Sequence, residues 1–420
     1  MNNVLDFFKG IGIIIDDAFD VKSGNPNDII WKIKSSFEKQ NIPILTLSEL
    51  PHNEQVRNFN TVSFMLLDWD LYGCQTELGV SKPQTAADDN IEFIKQFNAV
   101  CFAPVFIFSN ENTDDIKNRL AEANLYDSTK SNHIFVESKS KLKQSRTLFT
   151  KIKKWITTTP SIYALKEWDK ALLQAKCDLF HELHSINPKW AVVLQQTFKN
   201  DGVDENHELG LFIYKNLIAR TIPIDFDKGI IPIFDFNVKD EKEKKKNQNK
   251  FNRIIKNVSK GDLRKILECE RFLKNKKDNC GNNMLPLNPA TGDIFKENKN
   301  YFINIRPDCD ILRKGDDVIL YCLKGEVVKE QNINAKKKSK IIFHNGELIE
   351  KNYNIYVSFI DEGKIIEFKF NKDLIQSKWS DLKSKHIGRL LPPYITRLQQ
   401  KYAFYLQRQG LPAIPEKAIK

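Results

Sequence analysis

The 420-residue chain predicts an α/β protein. Its N-terminal part is read as a five-stranded, doubly wound parallel sheet, followed by a helical segment and a β-rich small barrel with a terminal helix. Three observations lead there. Residues 12–15, 62–67 and 104–108 are short apolar runs rich in β-branched and aromatic side chains, the pattern of strands buried on both faces of a parallel sheet. Stretches with helical spacing separate them, as βαβ units require. From about Gly292 onward the apolar period falls to two, which suits half-buried antiparallel strands.

The elements follow in order. After the first run, Ile30, Ile33 and Phe37 mark a helix over 29–37, and 42–47 reads as the second strand. The third strand ends at Asp68. Ile91, Phe93, Ile94 and Phe97 give an amphipathic helix over 85–97 that leads to the strand ending at Ser109. A helix over 114–123, a fifth strand at 133–136 and a closing helix over 142–155 complete an α/β domain of residues 1–150.

Residues 151–235 read as helical. Ile162, Leu165, Trp168, Leu172, Ala175, Leu179 and Leu183 recur every three or four positions and predict one buried stripe, and 190–198 and 208–219 predict two further helices. Residues 236–285 form a charged linker or helical region, in which the mixed-sign run 239–246 predicts a solvated loop or an exposed helix. Within 286–420, strands are expected at 301–305, 317–322, 340–343, 353–359 and 364–370, with turns at Gly315, Asn345-Gly346 and Glu362-Gly363. A last helix over 392–409 starts on two prolines, carries Ile395, Leu398, Tyr402 and Leu406 on one face, and stops at Gly410.

The composition, 41% hydrophobic and 28% charged, is that of a water-soluble globular protein. No run approaches the roughly 18 uncharged apolar residues of a membrane span, and the N-terminus lacks a basic region before an apolar one, so a cytoplasmic protein without a membrane partner is expected. The seven cysteines never form a Cys-x-x-Cys pair, which fits reduced thiols rather than a zinc site. The net charge of +11 is unevenly spread: residues 1–140 carry −8 and the other 280 carry +19, which points to halves with different partners.

Each of the three central apolar runs ends in acid or hydroxyl: Ile14-Ile15-Asp16-Asp17, Leu66-Leu67-Asp68-Trp69-Asp70, and Ser109-Asn110. Parallel strands point their carboxyl ends to one edge, where open α/β sheets bind ligands, so Asp16, Asp17, Asp68 and Ser109 are expected to converge. In order and spacing these motifs resemble the receiver domain of bacterial two-component response regulators, over residues 11–140. The resemblance implies a flavodoxin-like fold and a phosphorylated protein of signal transduction. Asp68 would accept a phosphoryl group from a partner histidine kinase, and the protein would at most catalyse its own phosphorylation and dephosphorylation.

The chemistry suits the residues. A carboxylate attacks phosphorus only if the facing negative charges are screened, and a hard divalent ion with oxygen ligands does this. Asp17 and Asp68 would bind Mg2+ directly, Asp16 through water, and the backbone carbonyl of Asp70 would add a ligand. Ser109 would hydrogen-bond a phosphoryl oxygen and shift as it arrives. The family's phosphate-contacting lysine after the fifth strand has Lys139 as its best counterpart, with Lys141 behind it, unless Glu137 holds that place. Leu71-Tyr72 replaces the family's Met-Pro, and residues 21–27 enlarge the loop after Asp17.

The arrangement is also similar to divergent receivers beside GHKL-type ATPases in bacterial antiviral defence systems, which would make such an ATPase a partner. The alternative is a degenerate, phosphorylation-independent receiver that serves as a scaffold or nucleic-acid-binding module. Arg389, Arg397, Lys401 and Arg408, with the lysines at 336–338, are the basic residues such a module would use. His181-Glu182-Leu183-His184 has its histidines three apart, unlike the His-Glu-x-x-His zinc helix, and reads as a partly buried helix face. The polar segment 304–310, with Arg306 and Cys309, reads as a structural turn.

Overall fold

The computed structural model describes residues 7–20, 28–71, 84–129, 132–142, 145–256, 258–276, 285, 288–311, 317–328, 349–351, 354–372 and 374–407. It divides into two compact units, residues 1–188 with 213–234, and 189–212 with 235–420. The helical segment expected at 151–235 is thus shared between them.

The first unit is a parallel sheet of β1 (Ile11–Ile15), β2 (Ile44–Leu47), β3 (Val62–Asp68), β4 (Val105–Ser109) and β5 (Ile134–Ser138), in the order β2-β1-β3-β4-β5. Alternate side chains bury opposite faces, as the pleat dictates. Ile13, Ile15, Met65, Leu67, Val105 and Ile107 pack with Phe93, Ile94 and Phe97 of α3 (Gln84–Val100) and with Ile116 and Leu120 of α4 (Thr113–Glu122). Ile14, Phe64, Leu66, Phe106 and Phe108 face the other way, toward α1 (Ile29–Glu38) and α5 (Ser145–Thr158). This two-sided burial makes the sheet doubly wound, as the uninterrupted apolar runs predict.

A short α2 (Asn53–Val56), not expected from the sequence, links β2 to β3. Phe7 and Phe8, also unexpected core residues, are fully buried ahead of β1, and the Phe8 ring lies 4.8 Å from Phe64 and 5.0 Å from Phe37. Gly12 admits this packing: a Cβ there would lie 2.2 Å from the Phe64 ring.

The 27-residue α6 (Pro160–Ile186) corrects the expected stripe. Ile162, Ala175, Leu179 and Leu183 are buried, but Leu165, Trp168 and Leu172 are 48%, 42% and 41% exposed. Lys166 takes the inward position after Ile162 and Tyr163, so the buried face passes beside Leu165. Lys166 Nζ donates to the Ser63 carbonyl at 2.9 Å and to Ser63 Oγ at 2.8 Å, at the start of β3. Burial holds this ammonium below the usual lysine range.

The unfolded chain keeps the Lys166 proton up to about pH 10.5, whereas the folded protein releases it earlier. Stability therefore rises as pH climbs from the folded value toward 10.5. Lys166→Met is expected to flatten that rise, measured as urea midpoints across the alkaline range.

The helices α7 (Trp190–Asn200) and α8 (Glu205–Arg220) follow, and the mixed-charge run becomes α9 (Glu241–Ile255), exposed along most of its length. Asp240 caps it through the Lys242 amide. After α10 (Lys260–Arg271), the second unit is a curled antiparallel sheet, a half-barrel. Its strands are β6 (Phe272–Lys274), β7 (Asp293–Glu297), β8 (Asn300–Asn304), β9 (Ile319–Val327), β10 (Ile349–Lys351), β11 (Asn354–Ile360), β12 (Lys364–Lys369), β13 (Ile375–Lys378) and β14 (His386–Leu390). They run in the order β10-β11-β12-β9-β8-β7-β14-β6, with β13 also paired to β9.

Strands β6, β7, β10, β13 and β14 were not signalled by the sequence. The strand expected at 340–343, the turns at Gly315 and Asn345-Gly346, and the loop 21–27 lie outside the described residues. Between β11 and β12, Asp361, Glu362 and Gly363 all have positive φ. This turn is held by its surroundings, since Asp361 Oδ2 accepts from Tyr301 at 2.7 Å, Lys296 at 2.9 Å and Lys364 at 3.0 Å. Although burial opposes its charge, those three donors bring Asp361 down to about 2.

The closing helix spans Tyr394–Gln407. Ile395 and Leu398 are buried as expected, but Leu406 is 63% exposed, because the helix runs past the edge of the core it covers. Among the described residues no helix is long and apolar enough to cross a membrane.

Candidate acidic site

The site is built at the carboxyl ends of the parallel strands. Immediately after β1, Asp16 caps a single 3-10 turn over Asp17–Phe19, its Oδ1 accepting from the Ala18 amide at 3.0 Å. Asp68 is the last residue of β3, in register with Phe108 of β4. The following loop is fastened beneath by Asn90 of α3, which donates to the Trp69 carbonyl at 2.9 Å. The carboxylate oxygens of Asp16, Asp17 and Asp68 lie within 4.8 Å of one another. Residues 52 positions apart thus share one pocket, because two strands of the sheet end side by side.

Lys139 enters from the fourth side. β5 stops at Ser138 and a 3-10 turn over Lys139–Lys141 follows, so the chain leaves its strand geometry between Glu137 and Lys139. Lys139 Nζ donates to Asp68 Oδ2 at 2.6 Å and to Asp16 Oδ2 at 3.2 Å. Glu137 turns instead to Lys151 of α5 at 2.7 Å, with Lys141 at 3.9 Å. Glu137 therefore faces a cation of its own and Lys139 faces the acids.

Three carboxylates against one ammonium leave excess negative charge in a poorly hydrated place. Burial pushes Asp68 up to about 6, opposed by Lys139 and reinforced by Asp16. Burial also raises Asp16, against the pull of Lys139. Asp17 is raised by burial and then by the Asp68 charge. For Lys139, burial disfavours the ammonium, but Asp68 and Asp16 outweigh it and hold the group above the ordinary lysine range. An all-oxygen donor set this close, short of positive charge, fits a hard divalent cation.

The two remaining residues of the expected constellation are joined to each other. Ser109 is fully buried, and its hydroxyl donates to Asp70 Oδ2 at 3.0 Å while accepting from the Glu111 amide at 2.9 Å. Asp70 Oδ2 also accepts from the Asn110 amide at 3.0 Å, and the Asp70 amide donates to Asp68 Oδ1 at 3.0 Å. The Asp70 carboxylate thus serves the β4 loop, and the role expected of Asp70 in holding a cation rests on its main-chain carbonyl alone. Nothing in the sequence marks this carboxylate, or Asn90, for these bonds.

Outside this pocket the other candidates resolve structurally. His181, Glu182 and His184 are exposed on α6 beside buried Leu183, and Glu182 pairs with Arg220. Arg306 is buried, donates to the Ile319 carbonyl at 2.5 Å, and lies 4.7 Å from the Tyr321 ring. Cys309 is exposed, with Asp310 as its polar neighbour. Of the basic residues suggested as a nucleic-acid surface, Arg389 is committed to fully buried Asp293 at 2.7 Å, beside His386 at 3.1 Å. Arg408 and the lysines at 336–338 lie outside the described residues. The free thiols among the described residues are Cys101, Cys177, Cys269, Cys309 and Cys322. Comparison of the chain with protein-family models and with curated proteins found no match.

Proposed function

We propose that the N-terminal unit is a receiver-type phosphoacceptor, in which Asp68 takes a phosphoryl group from the phosphohistidine of a partner kinase. The observation that carries this reading is the pocket of Asp16, Asp17 and Asp68 with Lys139 on the Asp68 oxygen that would attack. Asp17 and Asp68 would hold Mg2+ directly, with Asp16 and the Asp70 carbonyl supporting it. When bound, the ion supplies the positive charge that lets a carboxylate and a phosphoryl group approach.

The remaining work falls to the chain. A carboxylate oxygen of Asp68 forms the new bond to phosphorus while the bond from phosphorus to the donor imidazole breaks, its electron pair returning to the ring nitrogen. Lys139 stays within reach of the transferred group and balances its charge. The altered state of the β3 and β4 loops is what the basic C-terminal half would read, as a shift between two packings.

Incubation with acetyl phosphate and Mg2+ tests this. Intact-protein mass spectrometry is expected to show a gain of one phosphoryl group, mapped to Asp68 and lost on chelation of the metal. A chain that gains no mass under these conditions is no phosphoacceptor.

A further inference from the structure

Resting on the phosphoacceptor reading, we infer that Asp70 is a positioning residue: its carboxylate holds the Ser109 hydroxyl away from Asp68 until a phosphoryl group competes for it. Ser109 is fully buried and has one proton to donate, which goes to Asp70 Oδ2 at 3.0 Å. The lone pairs of its oxygen already accept the Glu111 amide. A phosphoryl oxygen on Asp68 can therefore gain Ser109 as a donor only if Asp70 loses it.

Asp70 is suited to that contest. Its amide is bonded to Asp68 Oδ1, so the arbiter sits two residues from the acceptor on the same loop. Its Oδ2 also binds the Asn110 amide, so the carboxylate keeps one partner when Ser109 departs. With Asp68 unmodified, a single carboxylate ties the loops after β3 and β4 together. Once a dianionic phosphoryl group is present, the stronger acceptor draws the hydroxyl across and the tie opens on the Ser109 side, while the Asn110 amide still holds the β4 loop to Asp70. No proton changes owner; one O–H bond is redirected from one oxygen to another.

Ser109 reaches the phosphoryl group only by giving up its bond to Asp70, so that bond opposes the modified state. Asp70→Ala is expected to raise the extent of phosphorylation at limiting acetyl phosphate about tenfold, the factor that corresponds to about 1.4 kcal/mol. Because Asp70→Ala also removes a negative charge beside the pocket, the deciding measurement is a double-mutant cycle. In a Ser109→Ala background, which has no hydroxyl to hold, the same substitution is expected to change the extent less than twofold.

Equal gains in both backgrounds would assign the effect to charge alone and overturn the inference, as would no gain in either. A wild-type chain that takes no phosphoryl group overturns the parent reading and this inference with it. Phosphorylation of the wild type without coupling in the cycle overturns this inference only. Asp70→Asn, which keeps an oxygen acceptor and the loop's bonding pattern, is expected to give an intermediate gain and replaces Asp70→Ala in the cycle if the alanine variant does not fold.

Discussion

Replacing Lys139 by methionine is expected to cost about 3–5 kcal/mol at neutral pH in metal-free buffer, the range seen when one partner of a buried charge pair is removed. The reason lies in the count of charges. Asp16, Asp17 and Asp68 crowd within 4.8 Å, and Lys139 is the cation bonded to two of them. Without it, the carboxylates would be forced further up from ordinary values than burial already drives them. The loss should shrink as pH falls and the acids take up protons, and it should be largely recovered by millimolar Mg2+. Urea unfolding of both proteins, with and without the ion, reads all three effects. A Lys139→Met chain as stable as the parent in metal-free buffer would mean that the lysine does not neutralise the pocket.

The opposite sign is expected for Asp68→Asn. Asp68 has its value raised from 3.8 to about 6, so the folded protein binds a proton more tightly than the unfolded chain does. Stability contributed by the protonated form is then lost as pH rises from 3.8 through about 6, and at neutral pH the ionised carboxylate costs the fold roughly 3 kcal/mol. The shift already includes the Lys139 attraction, so an amide in the same place recovers most of that cost. Asp68→Asn should therefore melt higher than the parent in chelator at neutral pH, and the advantage should disappear toward pH 4. It should also gain nothing from acetyl phosphate. A carboxylate that weakens its own fold while charged fits the proposed phosphoacceptor role. A metal-free Asp68→Asn chain that melts lower than the parent would show that Asp68 is held there for structure.

Mg2+ belongs to the same balance. An ion that binds only the folded chain, at a concentration about a hundredfold above its Kd, adds about 2.7 kcal/mol. That gain is expected in the parent and in Ser109→Ala, and to be much reduced in Asp17→Asn, as read by thermal unfolding.

Much of the first unit was legible because its strands are buried on both sides and so advertise themselves as unbroken apolar runs. The convergence of Asp16, Asp17 and Asp68 followed from topology alone, since parallel strands end on one edge. What escaped was set by the chain's departure from regular periods. Whether Glu137 or Lys139 reached the pocket depended on a 3-10 turn that begins after Ser138 and changes the direction of the next side chain. No alternation rule anticipates that turn. Phe7 and Phe8 lie outside the five strands, so their burial has no periodic signature.

In α6 the apolar residues occupy more than one face, and the spacing alone could not say that Lys166 rather than Leu165 turns inward. The half-barrel was harder still. Its strands β6, β10 and β13 have only three or four residues, too few to show a period, and several depend on partners distant in sequence.

Strand β3 carries Asp68 at one end and, five residues earlier, the serine that receives Lys166 from α6. A strand cannot shorten, and its neighbours on both sides clamp it laterally. The ladders to β1 and β4 also fix its register, so Asp68 and the anchor of the 27-residue α6 are held at a set separation along one strand. The sheet's central strand thus ties the acidic pocket at its head to the long helix pinned at its tail.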